Sequence, residues 1–253
     1  MRAIVLGLLL ACTALPARAN DAFERITPEQ AGYSREGLDR LRQVLRDAGS
    51  DSLLLVHDGK VFFEYGDIHR KLLLHSMRKP LLSALYGIHE ARGDIDLDAT
   101  LAQLGIDDIP PALTDTERQA RLEDLLKSRS GVYHPAAAES EGMAAARPPR
   151  GGHAPGAHYY YNNWDFNVAG HALERATGER LYDAFDREIA RPLGMLDYRN
   201  RIVVAPADDQ AVDPDADGYY QYERDKSRYP AWHFRMSAHD LALFGQLYLQ
   251  RGQ

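Results

Sequence analysis

Cysteine is nearly absent from this chain: its single copy, Cys12, leaves no partner for an intrachain disulfide, so stability must come from a packed core. No Lys/Arg cluster stands out anywhere, and acidic side chains outnumber basic ones 37 to 30 for a net charge of −7. A surface of that sign repels nucleic acid and anionic lipid, which excludes a nucleic-acid partner. Long apolar runs are missing too. The longest begins at Ala3 and ends at Ala11, too short to span a bilayer. The ten histidines are scattered, without a His-Glu-x-x-His or other metal-ligand spacing, so neither a metal nor another cofactor is expected, and His57, His75 and His134 read as structural or surface residues. Internal repeats and low-complexity tracts are absent as well.

What is present begins with a leader. Arg2 precedes the apolar run, and Ala17-Arg18-Ala19 is a small-x-small cleavage signal, so residues 1–19 are expected to be a signal peptide. Leu9-Leu10-Ala11-Cys12 offers a competing lipoprotein signal, in which Cys12 would be lipidated and hold the protein to a membrane. Simple secretion is favoured, since Cys12 sits early for the alternative; the expected location is periplasmic or secreted. Residues 20–253 are then more acidic still and suit one domain.

Periodicity predicts the elements. Ser34 to Ala48 carries Leu38, Leu41, Val44 and Leu45 at helical spacing. Leu53 to His57 and Lys60 to Tyr65 are β-rich runs joined by Asp58-Gly59, a strong hairpin signal. A helix preceding antiparallel strands argues against a βαβ fold. Ser76 to Arg92 reads as a helix stopped by Gly93, Leu122 to Lys127 as a short one, and the Ala/Pro/Gly-rich stretch from there to His158 as a long loop. Further helices are expected over Asp165–Thr177, Leu181–Ala190 and from Ser237 to about Arg251, the last opened by a Ser237-Ala-His-Asp240 capping box. Residues 205–231 are polar, aromatic and proline-punctuated, and no element is predicted there.

Two motifs carry chemistry. In Ser76-Met77-Arg78-Lys79, positions i and i+3 share a helix face, so hydroxyl and amine come within reach. Burial or a neighbouring cation would lower the lysine pKa until its neutral amine could take the serine proton, and a helix N-terminus supplies N–H donors for an oxyanion. Most Ser-x-x-Lys matches are ordinary surface helix. Pro80 follows directly; lacking an N–H, it forces the first turn to be kinked or 3₁₀-like. The second motif is Pro155-Gly156-Ala-His-Tyr-Tyr-Tyr161-Asn162-Asn163-Trp-Asp165-Phe166, where Tyr159 and Tyr160 read as an aromatic loop packed on the core.

Together these segments resemble class C β-lactamases, the related D-alanyl-D-alanine carboxypeptidases and esterases of the same fold. The Gly93-Asp-Ile-Asp-Leu-Asp98 turn, the Leu125-Leu126-Lys-Ser-Arg-Ser130-Gly131 run and Pro192-Leu-Gly-Met195 extend the similarity over about residues 30–253. It implies an α+β, β-lactamase/transpeptidase-like fold, an antiparallel sheet flanked by helices with a mainly helical lobe. Ser76 would be the nucleophile of a serine hydrolase, Lys79 and Tyr161 would manage the proton, and Asn163 would hold the lysine and a substrate carbonyl. Substrates implied are small esters, amides or β-lactams; a non-catalytic penicillin-binding or sensor domain, or an inactive fragment, is the alternative. In the family a Lys-Thr-Gly or His-x-Gly strand follows the helix with which this sequence ends, so the chain is expected to be truncated before it.

Overall fold

A computed structural model describes residues 23–205 and 212–252. The expected signal peptide, Cys12 with it, lies outside the described residues. Among those residues, no helix is long and apolar enough to cross a membrane.

The first layer is a three-stranded sheet. β2 (Ser52–His57) and β3 (Lys60–Gly66) pair antiparallel, with a register shift between Leu55 and Val56, and β1 (Glu24–Arg25) lies parallel to β3 on its other edge. The predicted turn is there because Asp58 and Gly59 adopt φ of 46° and 75°, the left-handed pair that a two-residue hairpin needs. Helix α1 (Arg35–Asp47) is capped by the Ser34 hydroxyl, which accepts the Gly37 N–H at 3.1 Å. It packs Leu38 with Phe62 and Phe63 in a small satellite core.

The second sheet runs β4 (Leu72–Leu73), β7 (Ala231–Met236), β6 (Gly218–Gln221), β5 (Ile202–Ala205) from edge to edge. β4 and β6 are antiparallel to β7, whereas β5 is parallel to β6. The α+β class is therefore as expected, but the pairing is mixed and divided between two sheets, not one antiparallel sheet. Strands β5 to β7 were not predicted. Most residues of β6 and β7 are buried, so the apolar/polar alternation that marks a half-buried strand never develops there.

Helices fill the rest: α2 (Arg78–Arg92), α3 (Leu122–Leu126), α4 (Glu141–Ala146), α5 (Asn163–Thr177), α6 (Leu181–Phe185) and α7 (Ala238–Leu249). The expected long loop before His158 holds α4, which is capped by Ser140. The single helix expected over Leu181–Ala190 ends as α and continues as a π turn over Asp186–Ala190. Gly93 stops α2 at φ 80°. The main core gathers Leu81, Leu82 and Leu85 of α2, Trp164 and Phe166 of α5, Tyr182 and Phe185 of α6, and Trp232 and Phe234 of β7; each large apolar side chain buried this way contributes about 1.5–3 kcal/mol. Thus α2 and α5, which carry the two motifs, are clamped against β7 by one continuous core.

Candidate active site

Ser76 sits in a three-residue 3₁₀ turn, His75–Met77, that leads directly into α2. Pro80 accounts for the tight first turn. His75 adopts φ 46°, a left-handed conformation that costs a non-glycine residue energy and is retained where surrounding packing enforces it. Lys79 is not on a solvated helix face: it is 7% exposed. The helix turns its positive end toward the serine, where N–H groups lack intrahelical partners.

The other half of the site comes from α5. Its cap is Asn162, whose side chain accepts the Asp165 N–H at 2.9 Å; the helix starts two residues earlier than its apolar pattern predicts, and Asn163 opens it. This folds Tyr161 and Asn163 back onto α2. Lys79 Nζ donates to Tyr161 OH at 2.8 Å, to Ser76 Oγ at 3.1 Å and to Asn163 Oδ1 at 3.1 Å. The Asn163 amide is oriented by its own N–H, which donates to the Ala138 carbonyl at 2.6 Å. All four residues singled out in the sequence thus meet around one ammonium nitrogen. Of the neighbouring aromatics, Tyr160 is buried and donates to the Met143 carbonyl at 2.6 Å, whereas Tyr159 is 58% exposed and does not pack as expected.

Burial, reinforced by the adjacent Arg78 cation, lowers the Lys79 pKa to about 7. Near neutrality a large fraction of the amine is therefore unprotonated and within proton-transfer reach of the serine hydroxyl. Arg78 is itself buried and stacks on Trp232 at 4.0 Å. Trp232 can lie flat there because Gly170 of α5 faces it; a Cβ at that position would come within 2.4 Å of the indole nitrogen.

A cavity of about 430 Å³ opens beside Ser76 and Lys79, lined also by Asn163, Glu139, Gln221, Glu223 and His233. Three larger cavities, of about 440, 580 and 650 Å³, contain no serine in their walls, so chemistry and not size selects the site. His233 was not anticipated. It lies on β7, is 5% exposed, and neither ring nitrogen has a hydrogen-bond partner among the described residues; burial, helped by Arg78, His75 and Lys79, lowers its pKa to about 3, so the ring is neutral. The strand is positioned by Tyr182, whose hydroxyl accepts the His233 N–H at 3.0 Å and lies 2.8 Å from the Tyr219 carbonyl. Of the histidines expected to be structural or surface residues, His57 and His75 are exposed and His134 is buried against the Ile109 and Pro135 carbonyls.

The beta-lactamase family model matches residues 38–253. The chain belongs to the beta-lactamase family. Solved structures with the same fold include the octameric penicillin-binding protein homologue from Pyrococcus abyssi, at 15% identity and TM-score 0.58 over 87% of this chain and 57% of that one. They include also the class C beta-lactamase from Rhodobacter sphaeroides, at 19% identity and TM-score 0.56 over 87% of this chain and 67% of that one. A class C beta-lactamase in complex with cefoxitin matches at 16% identity and TM-score 0.56, over 86% of this chain and 65% of that one. The chain therefore spans 57% to 67% of the length of these family members. No curated protein sequence matches it.

Proposed function

We propose that this beta-lactamase family member is a serine hydrolase that opens a small ester, amide or β-lactam carbonyl through an acyl-enzyme at Ser76. The carrying observation is the single nitrogen of Lys79 within hydrogen-bonding distance of Ser76 Oγ, Tyr161 OH and Asn163 Oδ1. In this reading the neutral amine takes the Ser76 proton as Oγ bonds to the carbonyl carbon. The Ser76 N–H, at the start of the helical segment, offers a donor to the developing oxyanion. Collapse of the tetrahedral adduct breaks the bond to the leaving group, and the proton passes from Lys79 through the Tyr161 hydroxyl to that group. Water then attacks the acyl ester, and Oγ recovers a proton as the acid departs. Asn163 keeps the amine in place and presents an amide edge to the substrate. The acidic residues of the cavity are already paired, Glu223 with Lys226 and Glu139 with Arg147, which suits an uncharged scissile group.

The test is covalent labelling. A fluorophosphonate or a penicillin is incubated with the chain and the product is read by intact mass and peptide mapping, with p-nitrophenyl ester turnover in parallel. A single adduct at Ser76, absent in Ser76→Ala, is expected; an unlabelled wild-type chain that is folded by circular dichroism would overturn the reading. One acyl group per chain without turnover would instead identify a penicillin-binding sensor domain.

A further inference from the structure

Three side chains that are scattered in the sequence converge away from the Ser76 cavity. His69 lies in the turn between β3 and β4, Asp197 in the connection from α6 to β5, and His239 in the first turn of α7. One donor atom from each lies within 4.8 Å of the other two. His69 Nδ1 and Asp197 Oδ2 are 3.0 Å apart, and the two imidazole centres are 5.1 Å apart with an interplanar angle of 30°. Two imidazoles on one tetrahedral ion, each with a metal–nitrogen bond of about 2.0–2.1 Å, hold their ring centres about 5 Å apart. The rings already stand at that separation.

The surrounding contacts hold the arrangement in place. The His239 N–H donates to the Ile68 carbonyl at 3.0 Å, which fixes the start of α7 beside the residue preceding His69. His239 is buried, and its Nδ1 lies 3.0 Å from Asp240 Oδ1, the carboxylate contact that ligating histidines commonly make through their second nitrogen. The Asp240 carboxylate also accepts the N–H groups of Leu196, Asp197 and Tyr198 at 2.8–2.9 Å. One buried carboxylate therefore orients the His239 ring and anchors the backbone that carries Asp197. The His69 side chain is 47% exposed, which leaves an entry path from solvent.

We propose that His69, Asp197 and His239 form a binding site for a divalent transition metal of the zinc type. Two imidazole nitrogens and one carboxylate oxygen are a donor set that suits zinc. No residue of the site lines the cavity at Ser76, so the ion would act as a staple between the β3–β4 turn, the α6–β5 connection and α7. Binding to the folded chain alone raises its stability by mass action.

The test uses the chain without a histidine tag, treated with EDTA, dialysed, and titrated with zinc chloride by calorimetry while Tm is followed. The wild type is expected to bind one equivalent and to gain about 5 °C in Tm at zinc 100-fold above Kd. His69→Ala, at a solvent-exposed position, should keep its zinc-free Tm but lose both the stoichiometric binding and the zinc-dependent rise; Asp197→Asn should lose them as well. The proposal is overturned if zinc neither binds nor raises the wild-type Tm, or if His69→Ala retains both effects, which would place the ion elsewhere.

Discussion

The Arg78 guanidinium lies 4.0 Å from the ring centre of Trp232, fixing a buried cation one residue before Lys79. Burial lowers the Arg78 pKa only to about 10, so at neutral pH it remains charged and pushes the neighbouring amine toward its neutral form. One tryptophan on β7 thereby links the second sheet to the protonation of a lysine on α2.

In the proposed mechanism the lysine sets the acid limb of activity. With Lys79 at about 7 and the neutral amine as the active form, kcat/KM should rise as pH increases through about 7 and level off above it. Arg78→Met removes the nearby cation and should move that limb to higher pH. Lys79→Ala should cost about 10²- to 10⁴-fold in kcat/KM. A pH–rate profile with a p-nitrophenyl ester checks all three; a wild-type profile flat from pH 5 to 9 would contradict the role given to the amine.

Tyr161→Phe removes one oxygen whose partner is Lys79 Nζ and leaves the ring in place. The expected loss is about 10²- to 10⁴-fold in kcat with Tm changed by only a few degrees, read from steady-state kinetics and calorimetry on the same sample.

His233 should make the fold acid-sensitive. Its folded pKa of about 3 lies below the ordinary value of 6.5, so between those limits the unfolded chain binds the extra proton and stability falls as pH drops from 6.5 toward 3. The loss assigned to this group is on the order of a few kcal/mol. His233→Phe, which keeps a ring to stack on Tyr219 as His233 does at 4.5 Å, should flatten that part of the pH–stability curve. Urea denaturation at pH 4, 5, 6 and 7 measures it.

Asp165 has the opposite sign. Complete burial raises its pKa to about 8; Oδ1 accepts the Ser130 hydroxyl at 2.6 Å, and Oδ2 has no hydrogen-bond partner among the described residues, so no donor stabilises a negative charge on that oxygen. The folded chain then binds the extra proton between pH 3.8 and 8, so this group's contribution to stability falls as pH rises through that window. Asp165→Asn, neutral at every pH, should be more stable than wild type at pH 9 by on the order of 1 kcal/mol or more and show a smaller loss between pH 6 and 9. Equal slopes in paired denaturation curves would exclude the buried neutral acid.

Local signals in the sequence carried far. Asp58-Gly59 defined the hairpin, Ser34 and Ser237 marked the starts of α1 and α7, and Gly93 marked the end of α2, because caps and turns depend on neighbours a few residues away. Pro80 foretold the 3₁₀ turn at Ser76 for the same reason. Strands β6 and β7 were illegible, since Gly218-Tyr-Tyr-Gln and Ala231-Trp-His-Phe-Arg-Met are enclosed by other elements and carry polar residues at buried positions.

By itself, then, the sequence determined the hairpin and the longer helices, and it singled out the four side chains, Ser76, Lys79, Tyr161 and Asn163, proposed to carry the chemistry. Only the tertiary structure decided that these four meet at one nitrogen, that Trp232 holds a buried cation beside it, that His233 enters the cavity, and that His69 joins His239. Backbone periodicity and capping are short-range effects written in adjacent residues, whereas desolvation and charge–charge coupling depend on distances through space, which exist only once the core has closed.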